Sequence, residues 1–141
     1  MTPLAREWVE KAEGDFEAAT RMARVRNRPA IFDTVCFHAQ QCAEKYLKAR
    51  LQDAGILFPK SHDLTQLLEF LLPVEPMLEP LRPALAFLNP FAVAFRYPGE
   101  SATREQMVAA MHSCKKVRLA LRETLGLEKQ IKLPKSRRKN P

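Results

Sequence analysis

Glycine is scarce in this chain, with four in 141 residues. A phosphate-cradling loop of the Walker or Rossmann type needs glycines at fixed spacing, and neither pattern occurs. The Gly-x-Ser-x-Gly elbow of serine hydrolases is missing too. No apolar run reaches the roughly 18 residues that would suggest a membrane-crossing helix. Glu7, Glu10, Lys11 and Glu13 interrupt the N-terminal stretch, so no secretory leader is expected there. The three cysteines, Cys36, Cys42 and Cys114, are an odd count lying in apolar helical patterns. They read as buried thiols in a reducing, cytoplasmic setting. Cys36/His38 and His112/Cys114 are each two residues apart, hence about 200° apart around a helix, and cannot chelate one ion. No Cys-x-x-Cys or His-Glu-x-x-His occurs, and neither a metal nor another cofactor is expected.

Strand-like alternation is also absent beyond a few residues, whereas helical periodicity and proline punctuation are abundant. Thr2-Pro3 opens a first helix, with Thr as N-cap and Pro at the first helical position. Trp8, Ala12, Asp15, Ala19 and Met22 form its core stripe, and it is expected to end near Arg26. A second helix spans Pro29 to Ala54 and stops at Gly55. Ile56–Lys60 is expected to tuck against the core before a short third helix that starts near Asp63 and stops at Pro73. Pro73, Pro76, Pro80 and Pro83 stiffen the next junction. The period Leu78, Leu81, Leu85, Leu88, Ala92, Phe95 then continues through Pro90. A kink is expected there, with Asn89 kept out of the right-handed helical region by the following proline. Thr103 with Gln106 makes a capping box for the last helix, whose stripe is Met107, Ala110, Met111, Cys114, Val117, Leu121 and Leu125 before Gly126. The expected fold is all-α: an up-and-down bundle of four to five helices.

The second helix carries the most informative pattern. Its apolar side is Phe32, Val35, Ala39, Cys42, Ala43 and Tyr46. Its polar residues form two stripes: His38, Gln41, Lys45 and Gln40, Glu44, Lys48. Glu44 and Lys48 suit an exposed ion pair; alternatively the seam walls a groove with Lys45 or Lys48 as cation, Gln41 as hydrogen-bonding group and His38 as titratable group. Asp15 is a carboxylate on an apolar stripe, so it must be paired or share that groove. Arg96-Tyr97-Pro98 follows the kinked helix. Arginine beside tyrosine can hold a phosphate and stack a base, or pair a carboxylate and plug a core.

The formal charge is +7, but residues 128–141 hold six basic residues against one acid, leaving about +2 for residues 1–127. The body is therefore one near-neutral domain, and the tail is expected to be a disordered basic arm.

The run Phe37-His38-Ala39-Gln40-Gln41-Cys42-Ala43-Glu44-Lys45-Tyr46-Leu47-Lys48-Ala49 resembles the signature helix of the HEPN domain (higher eukaryotes and prokaryotes nucleotide-binding). Trp8…Ala12…Asp15, Phe58-Pro59-Lys60-Ser61-His62-Asp63-Leu64 and Arg96-Tyr97-Pro98-Gly99 are similar as well, in family order, over roughly residues 5–125. The resemblance implies an α-helical bundle that usually dimerises and often has a minimal nucleotidyltransferase as neighbour, in a toxin–antitoxin-like pair. Some members cleave RNA without metal, through a paired Arg and His at Arg-x(4–6)-His. No histidine here stands at that spacing after an arginine; Arg104 to His112 is one residue too long. The chain resembles instead the branch with an Arg-Tyr-Pro loop, for which the resemblance implies nucleotide binding. The residues carried over are Lys45, Lys48, Arg96 and Tyr97, with Gln41 and Glu44 beside them and Asp15 and His38 in support, the seam being expected to face the loop. The expected function is a non-catalytic module, homodimeric, binding a nucleotide or RNA. The alternatives are an RNA-cleaving toxin with an atypical site, built from His38 or His112 with Arg96, and a dimeric scaffold with Glu44 and Lys48 buried between subunits.

Overall fold

The computed structural model describes residues 1–26 and 28–128. Apart from Glu128, the basic tail lies outside the described residues. The described chain is all-helical, with helices α1 (Pro3–Met22), α2 (Pro29–Asp53), α3 (Leu64–Leu71), α4 (Arg82–Leu88) and α5 (Arg104–Thr124). Two 3-10 segments, Pro76–Leu81 and Asn89–Ala92, flank α4.

The ends follow local chemistry. Thr2 Oγ1 accepts from the Ala5 amide at 3.1 Å, satisfying one free donor of the first turn of α1. The Asp63 side chain accepts from the Thr65 and Gln66 amides at the start of α3. Thr103 and Gln106 form the reciprocal capping box that opens α5. Gly55 and Gly126 lie just past α2 and α5 in the left-handed region, where a side chain would be strained.

The second helix is the central post. It packs against α1, α3, α5 and the segment around α4, while α1 and α5 touch each other little directly. The expected apolar side of α2 is buried throughout, as is the α5 stripe from Met107 to Leu121; Leu125 is half-buried.

Four local expectations are corrected. The first helix stops at Met22, and its core residues are Val9 and Phe16 together with Ala12 and Ala19, while Trp8 and Met22 are half-buried at the margin. The true stripe keeps Ala12 and Ala19 but is centred about 60° around the helix from the one that starts at tryptophan. Leu57 is 94% exposed, so the connector touches the core only through Ile56 and Phe58. Asn89 is right-handed helical (φ −52, ψ −46) despite Pro90, and the chain tightens into a 3-10 turn there. Its side chain supplies the reason: Oδ1 accepts from the Leu64 amide at 2.8 Å and Nδ2 donates to Asp63 Oδ1 at 2.9 Å. These bonds pin Asn89 to the start of α3 against the local preference.

Sequence periodicity also missed a charged knot between three helices. Arg118 of α5 is 2% exposed and donates from Nε and Nη2 to the two carboxylate oxygens of Glu13 in α1, at 2.7 and 2.6 Å. Tyr46 of α2 donates to Glu13 at 2.5 Å and accepts from Arg122 at 3.0 Å. The Arg118 guanidinium lies over the Phe16 ring, 4.1 Å from its centroid. Burial works to raise the Glu13 pKa, but the bonds from Arg118 and Tyr46 outweigh it and hold the carboxyl below its usual range. A knot of this kind becomes costly when one partner is removed, because the buried Arg118 guanidinium loses its two bonds to the Glu13 carboxylate. Glu13→Ala is therefore expected to cost about 3 kcal/mol or more in urea unfolding; a loss below about 0.5 kcal/mol would show that α1 and α5 do not depend on it.

Candidate functional site

Because α2 is covered on most sides, its solvent-facing strip between Val35 and Ala49 is narrow: the adjacent pair Phe37 and His38, then Gln41 and Lys45 at one-turn spacing. The neighbouring helix α1 meets two of its polar groups, His38 and Lys45. Asp15 of α1 accepts from Lys45 Nζ at 2.6 Å through Oδ2, and its Oδ1 lies 2.7 Å from His38 Nδ1. Asp15 thus does both things the sequence left open: it is paired, and the pairing joins it to the seam. Burial would raise its pKa, yet the hydrogen bonds from His38 and Lys45 hold it below the ordinary aspartate value.

A second carboxylate repeats the arrangement further along α2. Glu44 Oε2 accepts from Lys48 Nζ at 3.1 Å, and Oε1 lies 2.9 Å from Nδ1 of His62 in the α2–α3 connection. Gln40 Nε2 bridges Glu44 and the His62 carbonyl, and Gln41 donates to Gln40 Oε1 at 2.8 Å. The Lys48 ammonium also sits 5.5 Å from the centroid of the Trp8 ring. Glu44 and Lys48 are 3% and 6% exposed. The exposed ion pair expected at this spacing is in fact a buried one. Nor does it need a second subunit to cover it, since Trp8, His62 and Gln40 do so within one chain.

Each carboxylate, Asp15 and Glu44, therefore faces one lysine and one histidine. Asp15 with Lys45 and Glu44 with Lys48 cancel in charge. When Nδ1 of His38 carries its proton toward Asp15, Nε2 is left as the imidazole's accepting nitrogen.

The Arg96-Tyr97 loop is built differently. Phe95 has φ +65, an unusual conformation for a large side chain, and it stacks on Phe91 with centroids 5.8 Å apart. The next two residues are thereby turned outward. Arg96 donates from Nη2 to the Ala92 carbonyl at 3.2 Å, and Tyr97 is 72% exposed. The reading of this pair as a core plug is ruled out. The loop's far end is held by the Ala102 amide, which donates to Asp33 Oδ1 at 2.6 Å. Among the described residues, no hydrogen bond, ion pair or ring contact joins Arg96 or Tyr97 to Gln41, Glu44, Lys45 or Lys48. From Asp33 to Lys45 is about 18 Å along the helix at 1.5 Å per residue. Ala102, at the far end of the loop, is thus anchored about three turns of α2 away from Lys45.

The described residues contain no group of three or more His, Cys, Asp or Glu side chains fit to hold a metal. All three cysteines are buried. Burial, helped by Asp33, pushes the Cys36 thiol up to about 11, which makes it a poor nucleophile. Among the described residues, no helix is long and apolar enough to cross a membrane.

The described residues thus form an α-helical bundle with an internally neutralised polar helix and an outward Arg-Tyr loop. The family profile of the HEPN domain matches residues 5–124, and the chain belongs to that family. Among solved structures it is similar to TT1696 from Thermus thermophilus, with a TM-score of 0.73 and 23% identity over 86% of this chain and 98% of that one. At that identity the likeness is one of fold. No curated protein matches significantly.

The lowered pKa of Asp15 has a pH consequence. Its stabilising contribution is fully present above the ordinary aspartate pKa, about 4, and is lost as pH falls through the lower folded value. Asp15→Asn should lower the melting temperature at pH 7, and the gap to wild type should close as pH falls below the ordinary aspartate range. Melting curves that stay parallel across that range would show that Asp15 contributes nothing through its charge.

Proposed function

We propose that this chain is a non-catalytic HEPN binding module that takes a nucleotide or an extended polyanion at the Arg96-Tyr97 loop. The observation that supports it is the contrast between loop and seam. Arg96 uses a single contact, to a carbonyl, and keeps its remaining donors for a phosphate. Tyr97 offers an open ring face for a base. Lys45 and Lys48 already face carboxylates, so they offer less. In this reading Gln41 and Lys45 contact a ligand long enough to run along the strip, while Glu44 and Lys48 stiffen its floor. The module would act as a cytoplasmic homodimer beside a minimal nucleotidyltransferase in a toxin–antitoxin-like pair. The absence of an Arg-x(4–6)-His motif argues against RNA cleavage.

A second reading has one observation in its favour. The Asp15–His38 contact is the arrangement by which a carboxylate orients an imidazole for proton transfer. An RNA-cleaving toxin would use it, but Arg96 makes no contact with His38, so the charge-stabilising partner is not in place.

Calorimetry with ATP, GTP and oligouridylate tests the first reading. Wild type is expected to bind at least one of them, and Arg96→Ala to weaken that binding about ten-fold, the usual worth of a charged phosphate contact. Silence from wild type with all three ligands would overturn it.

A further inference from the structure

The sparse direct contact between α1 and α5 leaves a groove between the end of α1 and the middle of α5. It has a volume of about 410 Å³. Met107 and Met111 form its buried floor, and Val108, 58% exposed, forms one edge. Arg24 stands in the turn that follows α1, and His112 and Lys115 stand one turn apart on the α5 wall. All three are exposed, and no described carboxylate lines the groove. Among the described residues none of the three makes a side-chain hydrogen bond or ion pair. This differs from the seam, where carboxylates face both lysines. The groove shares no residue with the strip or the Arg96-Tyr97 loop.

We propose that this groove docks an acidic segment of a partner protein, an apolar side chain resting on Met107, Met111 and Val108 while carboxylates bridge Arg24 to His112 and Lys115. The lining separates this occupant from the others. Thioether and aliphatic side chains adapt to varied apolar anchors. No phenylalanine, tyrosine or tryptophan lines the groove, and single-stranded nucleic acid relies chiefly on such rings for stacking. A second copy docking face to face would set the same cations against each other. The chain's own tail, with six basic residues between 129 and 139, would be repelled as well. An acidic partner is the occupant for which charge and apolar contact agree.

The test is fluorescence anisotropy on the full chain with three labelled probes. These are a short peptide with leucines at helical spacing and glutamates between them, the same peptide with glutamine for glutamate, and an oligouridylate of equal charge. The acidic peptide is expected to bind at low salt, more tightly than the other two, and to be released as salt rises. Arg24→Glu/Lys115→Glu should weaken it about ten-fold or more, and Val108→Asp should also weaken it. These positions are exposed, so an unchanged melting temperature verifies that the fold is intact. The double variant keeps the basic tail, so peptide held nonspecifically by the tail would bind it undiminished. Undiminished binding would overturn the proposal, as would no peptide binding to wild type. Tighter oligouridylate binding, lost in the same variant, would assign the groove to nucleic acid instead. None of these outcomes depends on ligand binding at Arg96.

Discussion

The structure depends on how α2 disposes of its charges. A helix buried on most sides can carry Glu44, Lys48 and the Tyr46 hydroxyl inward only if each meets a partner, since an unpaired buried charge is prohibitive. Neighbouring segments supply them. The first helix contributes Asp15 and Glu13, the α2–α3 connection contributes His62, and α5 contributes Arg118 and Arg122. No buried side-chain nitrogen or oxygen among the described residues lacks a hydrogen-bond partner. The pairings fix how α1 and α5 sit on α2 more specifically than apolar packing alone would, because a one-residue slip would break them.

This arrangement reassigns the polar seam. Read as a stripe, Gln-Glu-Lys residues suggest a recognition surface. In three dimensions Asp15 and Glu44 neutralise the two lysines, and the outward groups of the strip are His38, Gln41 and the edge of Lys45. Groups left with free donors lie elsewhere. The Arg96-Tyr97 loop is one such place, and it is held outward by a residue in a sparsely populated conformation. The α1–α5 groove is another, with opposite character: unpaired cations around a methionine floor.

Much of this was legible in the sequence. The capping box, the stop glycines, the buried side of α2 and the stripe of α5 follow from local rules, and the structure carries them as read. The HEPN resemblance rested on spacing along α2 and is met by the family match. Pairing across the chain was not legible. Glu13 meets Arg118 over 105 positions of sequence, and periodicity assigns a residue to a face without naming what lies opposite. One signal was available: Arg118 and Arg122 fall within the apolar stripe of α5, beside Cys114, Val117 and Leu121, where an unpaired arginine has no place. The misplaced stripe of α1 has a similar origin. Trp8 drew the pattern toward itself, but its ring serves as a cover over Lys48 while Val9 and Phe16 fill the core.

The central claim is that Glu44 and Lys48 are a structural pair and not a waiting ligand site. A double-mutant cycle on unfolding free energy, with Glu44→Gln, Lys48→Met and the two together, measures it directly. The account predicts that each single change destabilises the fold and that the double is milder than their sum, with a coupling of about 1 kcal/mol or more. Single variants as stable as wild type, with effects that simply add, would contradict it and return the seam to the role of a binding surface.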